Sequence, residues 1–224
     1  MINEHVRSIG VEIECGIELC YLRYLRSKYN IKYSSDASVY VPNEEYNNYS
    51  ANDLPKHDDG AWVYNAELKY HTSNYNHLRQ FIKEAFDSSY LWQNSSCGSH
   101  IHIHFAKNYY VTHLFSYNCI RQFINMYVEF AKTQLDTEKY MCRLGNSYSK
   151  EIKSIEDILS NYICDRYFMM NIQCNKKHRK SSFIEYRIFP YAEDAEEYLK
   201  IVDFLLSAIN KLLQGMPNRH IYKI

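Results

Sequence analysis

From Ser99 to Phe105 the side chains alternate without interruption. His100, His102 and His104 take every second position, and Ile101 and Ile103 fall between them. Successive residues of a strand point to opposite faces, so this period fits a half-buried strand and not a helix. Such a strand must lay its isoleucines on a core and turn its imidazoles away from it. The pattern recurs in two other runs. In Ser8 to Cys15, Val11 and Ile13 oppose Glu12 and Glu14; in Ser182 to Phe189, Ile184, Tyr186 and Ile188 oppose Glu185 and Arg187. Together these runs predict a sheet with one apolar face and one face of ionisable groups.

Helices are expected between the strands. Apolar residues at helical spacing mark 17–29, 76–86 and, as the longest helix, 114–135. A closing helix over 192–213 has Glu193, Asp194, Glu196 and Glu197 near its start and Lys211 near its end, matching the helix dipole. Ser154 is placed to cap a shorter helix, with Asp157 at its third position. Further strands are expected at 61–70 (with a break near Asn65), at 168–174 and, weakly, at 39–41. The stretch 42–58 reads as an irregular loop, and Lys176 to Lys180 as a solvated basic loop between two strands. Interspersed helices and hairpin-like strand pairs give an α+β class with a mainly antiparallel sheet, in a single domain over 1–224.

Composition removes several functions. Lys+Arg 26 and Asp+Glu 26 cancel, so no global field draws nucleic acid or an anionic membrane. No apolar run approaches the ~20 residues of a membrane span. The 7 cysteines include no C-x-x-C pair and the start shows no apolar signal segment. Reduced thiols and a cytoplasmic location are therefore expected. Cys15 falls on the face opposite Glu14, and Cys97 in a tight turn before the histidine strand. Neither is expected to be a ligand or nucleophile.

The ionisable face carries the chemistry. Glu12 and Glu14, two positions apart on one strand, lie on the same side about 6–7 Å apart and repel unless water or a cation separates them. Three imidazoles on the next strand can bind a metal or donate hydrogen bonds to phosphate oxygens. Glu185 beside Arg187 reads either as an ion pair of small value or as a metal carboxylate next to a phosphate clamp. Oxygen-rich ligation favours Mg²⁺ or Mn²⁺ over structural zinc, and hard cations near arginine suit phosphoryl transfer. No Walker A loop or G-x-G-x-x-G is present, which excludes those nucleotide sites.

At these residues the chain resembles the amidoligase (COOH-NH2 ligase) family, which is related to glutamine synthetase and glutamate–cysteine ligase. Gly10-Val11-Glu12-Ile13-Glu14 resembles the family's G-V-E-I-E opening, and Asp59-Gly60-Ala61 stands where the family has D-G-S. Glu67 stands for the glutamate of an E-[IL]-V-S-like strand. Cys97 to His102 resembles C-G-x-H-V-H, Ile184 to Arg187 resembles I-E-F-R, and Tyr167 to Asn171 resembles the stretch before it. Ala61 and Leu68-Lys69 depart from the family pattern, and His104 is an addition to it.

The resemblance implies a glutamine synthetase-like domain: a curved, mainly antiparallel sheet with helices behind it and ATP with Mg²⁺ or Mn²⁺ on its concave face. Glu12, Glu14, Glu67, His102 and Glu185 would be metal ligands, with His100 and His102 near phosphate. Arg187 would stabilise transferred phosphate, and Arg143 would contact nucleotide or substrate. Glu67 would also take part in catalysis, and Asp59 would help deprotonate an incoming ammonium. The implied reaction joins a small-molecule or peptide carboxylate to an amine through an acyl phosphate. Two other readings compete with it. One is a binding module of the same fold with a degenerate site, supported by Ala61. The other is a transition-metal hydrolase or oxygenase using His100, His102 or His104 with Glu185.

Overall fold

The alternating runs pair into one antiparallel sheet in the computed structural model, which describes residues 4–35, 63–87, 90–134, 136–158, 167–171 and 183–216. Its longest strand, β1 (Val6–Glu18), lies at the centre. On one side it pairs with β3 (Val63–Thr72), which pairs in turn with β2 (Lys32–Ser35). On the other side it pairs with β5 (Gly98–Phe105), then come β7 (Phe183–Pro190) and β6 (Met170–Asn171). The two-residue β4 (Leu91–Trp92) closes on the end of β1.

The two faces have opposite characters. Ile9, Val11, Ile13, Cys15 and Ile17 of β1 are fully or almost fully buried, as are Leu68, Ile101, Ile103, Ile184 and Ile188. They form one core with helical residues: Leu22 and Leu25 of α1 (Leu19–Tyr29), Phe81 and Ile82 of α2 (Tyr75–Phe86), Phe123 and Tyr127 of the helix over Tyr117–Gln134, and Ile201 and Leu205 of the helix over Ala195–Gln214. Burying such side chains drives the layer packing, at roughly 1.5–3 kcal/mol each. The opposite face carries Glu12, Glu14, Glu67, Lys69, His100, His102 and Glu185.

Several boundaries move, each for a local reason. β1 runs to Glu18 rather than yielding to a helix at Ile17, because Ile17 continues the apolar alternation and pairs with Tyr64 and Leu91. β3 passes Asn65 without a break, Asn65 pairing with Gly16, and extends to Thr72. The expected helix over 114–135 divides at Phe115 and Ser116. Leu114 ends α3 (Asn108–Leu114), and α4 is the helix Tyr117–Gln134. A short α5 (Thr137–Met141) follows, capped by Asp136, whose carboxylate accepts from the Glu138 and Lys139 amides. The final helix, α6, is the segment Ala195–Gln214; it starts later than 192 because Asp194 caps it, accepting from the Glu197 amide at 2.7 Å.

Ser154 caps as expected. Its hydroxyl accepts from the Asp157 amide at 3.1 Å, and the Asp157 carboxylate accepts back from the Ser154 amide at 2.9 Å. Of the strand expected at 168–174, the described residues give Met170–Asn171, with Phe168 bridging to Lys150, and 172–174 lie outside them. The expected strand at 39–41, the loop over 42–58, Asp59, Gly60, Ala61 and the basic stretch 176–180 lie outside the described residues. No described helix is long and apolar enough to cross a membrane.

A buried ion pair fastens α5 to α6. Lys139 Nζ donates to Glu197 at 2.9 and 3.0 Å, with the Tyr191 ring 4.1 Å from the ammonium. The Tyr140 hydroxyl donates to the same carboxylate at 3.1 Å. Below it, the Tyr127 hydroxyl donates to the Tyr140 carbonyl at 2.8 Å. This fastening places Arg143, two residues past α5, against the start of β5.

Candidate metal centre

Strand register determines which side chains meet. Glu12 pairs with His100 on one side and with Lys69 on the other; Glu14 pairs with Glu67, and His102 with Glu185. Four strands thus bring four glutamates and two imidazoles to one patch. His100 Nδ1 lies 3.4 Å from Glu12 Oε2, 3.8 Å from Glu67 Oε1 and 3.8 Å from Glu185 Oε1, and its Nε2 lies 3.4 Å from Glu14 Oε1. His102 Nε2 lies 3.3 Å from Glu12 Oε1 and 3.8 Å from Glu185 Oε1. That nitrogen is buried, and the nearby oxygens do not give it hydrogen-bond geometry.

Two overlapping sets have the composition and spacing of a metal centre: Glu12, Glu67 and His100, and Glu12, His102 and Glu185. In each, one atom per residue falls within 4.8 Å of the others. Glu12 belongs to both and has an oxygen for each. Carboxylates with one imidazole suit a hard or borderline divalent ion. The buried His102 nitrogen without a hydrogen bond is the kind of donor that such an ion completes.

Charges perturb one another here. Burial alone would raise the Glu12 carboxyl, but His100 and His102 outweigh it and hold Glu12 far below the usual carboxylate range. Burial and the adjacent Glu12 charge raise Glu67, with Lys69 opposing. Burial opposes ionisation of Glu185 as well, yet His100, Arg187 and His102 keep its carboxyl low. Burial lowers the His102 imidazole, but Glu12 and Glu185 more than reverse this and raise it.

The remaining expected residues separate into those the structure brings to this patch and those it does not. Arg187 reaches it, its Nη1 donating to Glu185 Oε1 at 2.8 Å and its Nε to the Tyr148 carbonyl at 3.4 Å. Asn171, in the stretch before β7, donates to Glu185 Oε2 at 3.4 Å. Glu14 touches His100 but enters neither ligand set. Arg143 is buried, and its Nη2 donates to the Cys97 carbonyl. Gly98 makes that approach possible: a Cβ there would collide with Arg143 Nη2 and lie 3.2 Å from Glu14 Oε2. Arg143 is therefore packed into the end of the patch beside Glu14. His104 lies outside both sets; its ring packs edge-on to His71 at 4.7 Å and stacks on Phe183 at 4.7 Å.

One participant carried no expectation of a role in the site. Lys69 Nζ lies 2.5 Å from Glu67 Oε2 and 3.3 Å from Glu12 Oε1. Its spacing of two from Glu67 on a strand puts both on one face, which is the signal that would have found it. Cys15 and Cys97 are buried thiols, Cys97 following the turn in which its amide donates to the Asn94 carbonyl. Burial pushes the Cys97 thiol up to about 11.

No protein-family model matches this chain. A search of curated proteins gives no match to it either.

Proposed function

We propose that this chain is an ATP-dependent carboxylate–amine ligase requiring Mg²⁺ or Mn²⁺, with a glutamine synthetase-like domain. The observation that carries the reading is the convergence of Glu12, Glu67, His100, His102 and Glu185, from four strands, on the face of the sheet opposite the core. Stability does not call for that arrangement, since burying like charges together is costly. A ligand carrying both divalent cations and phosphates offsets the cost, because its metals answer the carboxylates and its phosphates answer Arg187. The resemblance of the G-V-E-I-E, C-G-x-H-x-H and I-E-x-R stretches narrows phosphoryl chemistry to amide formation.

In this reading Glu12 is shared between two cation positions, Glu67 and His100 complete one, and His102 and Glu185 complete the other. Bound divalent cations would neutralise the phosphate oxygens of ATP. Arg187, held in place by Glu185 and the Tyr148 carbonyl, presents its remaining donors to the transferred phosphoryl group. His100 faces Glu14 at the end of the patch, where Arg143 packs over Gly98, giving Glu14 a positioning role. A substrate carboxylate oxygen takes the γ-phosphoryl group as ADP leaves; an amine then attacks the acyl carbon, phosphate departs and an amide remains. Asp59 is assigned the amine's proton on the resemblance alone.

The test is incubation with ATP, Mg²⁺ and pooled amino acids, following phosphate release together with new masses corresponding to condensation. Amine-dependent phosphate release with an amide product supports the ligase. A degenerate binding module of the same fold is the second reading, favoured by the Lys69 ammonium seated on Glu12 and Glu67. Metal or nucleotide binding with no turnover on any acid–amine pair would move the assignment there.

A further inference from the structure

The two imidazoles of the patch are held in different ways. His100 has a carboxylate at each ring nitrogen: Nδ1 lies 3.4 Å from Glu12 Oε2, and Nε2 lies 3.4 Å from Glu14 Oε1. His102 meets carboxylates at Nε2, which is buried without a hydrogen bond, and among the described residues none faces its Nδ1. The torsion that turns an imidazole about its Cβ–Cγ bond has a broad minimum, and turning this ring carries Nε2 away from Glu12 and Glu185. Metal-ligating histidines are ordinarily held against such turning by a hydrogen bond on the second nitrogen.

Packing takes the place of that bond. Gly10, the β1 partner of His102, offers no side chain to hold the ring. From the other side Phe183, at the start of β7, lies parallel to it, with 8° between the planes and 5.6 Å between centroids. Among the described residues no other ring touches His102. Phe183 is backed in turn by His104, its partner in the β5–β7 register, at 24° and 4.7 Å. His104 meets His71 edge-on, and His71 Nε2 lies 2.8 Å from Ser8 Oγ. The third histidine of the alternating strand, outside both ligand sets, therefore stands in a row of rings that leads to His102.

We propose that Phe183 is a positioning residue that holds His102 Nε2 toward Glu12 and Glu185 and so presets that ligand set for a divalent ion. The inference rests on the reading of the face as a metal-dependent site. An imidazole that is ordered before the ion arrives binds it more tightly than one that must be ordered as it binds. Replacing the flat ring of Phe183 by an aliphatic side chain removes that preparation while leaving every ligand atom in the chain.

The experiment is a Mn²⁺ titration of the full chain, with free Mn²⁺ followed by electron paramagnetic resonance and no nucleotide present. Phe183→Leu should bind Mn²⁺ about tenfold more weakly than wild type. Phe183→Met should lose as much, and its adaptable side chain guards against misfolding of the leucine variant. Phe183→Tyr keeps the ring and should bind as wild type does. In a His102→Gln background, Phe183→Leu should add no further loss, since its effect runs through His102. Nuclear magnetic resonance of the metal-free proteins gives an independent readout. The His102 ring signals should be sharp in wild type and Phe183→Tyr, and broadened by exchange in Phe183→Leu. Equal Mn²⁺ affinity in wild type and both aliphatic variants would overturn the role of Phe183 and leave the metal reading standing. A loss of the same size in the His102→Gln background would overturn it too, making Phe183 a support of the fold alone. No Mn²⁺ binding by wild type would overturn the metal reading and the inference with it.

Discussion

Two lysines of this protein sit among glutamates and do different things. Lys139 is buried between α5 and α6 with Glu197, and the pair is completed by the Tyr140 hydroxyl and the Tyr191 ring. Every polar atom there has a partner from the chain itself. Lys69 lies on the ionisable face of the sheet, bridging Glu12 Oε1, which also faces His102, and Glu67 Oε2, while the other oxygen of each glutamate faces His100. Among the described residues, four glutamates there face three fixed cations, Lys69, Arg143 and Arg187, and two imidazoles. A charge cluster that closes on itself fastens structure, and one this rich in carboxylates is where a cationic ligand is proposed.

Of the two lysine clusters, the α5–α6 fastening should be the more sensitive to substitution. Lys139→Met should cost ~3–5 kcal/mol, because Glu197 is left buried and ionised without its partner. Urea denaturation with and without Mg²⁺ checks this, and the loss should not depend on the metal. A loss that Mg²⁺ repairs would make the two clusters alike.

Next in size is the seam where the regions meet. Gly98→Ala drives a methyl group into the Arg143 guanidinium beside Glu14 and should cost about 1–3 kcal/mol through overpacking. It should also weaken metal-dependent stabilisation, since Glu14 and His100 shift with Arg143. Thermal melts at several Mg²⁺ concentrations read both effects. Unchanged stability would mean that Arg143 does not hold its place.

Within the open patch the sign should reverse. Glu67→Gln removes a carboxylate that burial and Glu12 make costly to ionise, so the metal-free protein should become more stable. The stabilisation added by Mg²⁺ should shrink at the same time. A destabilised metal-free protein would show that Glu67 is a structural ion-pair partner like Glu197.

The smallest effect concerns the thiols. With its thiol pushed up to about 11, Cys97 holds almost no thiolate at pH 7, and its reactivity should rise only as pH approaches that value. Peptide mapping after native alkylation at pH 7 should find Cys20 and Cys142 modified and Cys15 and Cys97 protected. Modification of Cys97 as fast as Cys20 would contradict the packing of this turn.

The strands that build the face were legible because alternation is a local signal. Val11, Ile13, Ile101, Ile103, Ile184 and Ile188 are buried as their period requires, which places Glu12, His100, His102 and Glu185 opposite them. Register is not local. Glu12 and Glu14 look equivalent in sequence, yet pairing sets Glu12 between two imidazoles and Glu14 at the Arg143 end. The same limit hid the bond from Arg143 to the Cys97 carbonyl, which spans the chain from the end of α5 to the start of β5. Short elements such as α5 and β4 carry too few residues for a period to emerge, and α5 depends on its Asp136 cap. In the sequence Lys69 stands out only as a departure from a family pattern, although its same-face spacing from Glu67 marks it as a counter-charge.

ATP is proposed to bind the ionisable face through divalent cations. Calorimetric titration of the full chain with ATP, once with Mg²⁺ and once with the metal chelated, tests it most directly. ATP should bind saturably with Mg²⁺ and not without it, because four glutamates repel the free triphosphate. Equal ATP affinity with and without the cation, or no ATP binding in either case, would contradict it.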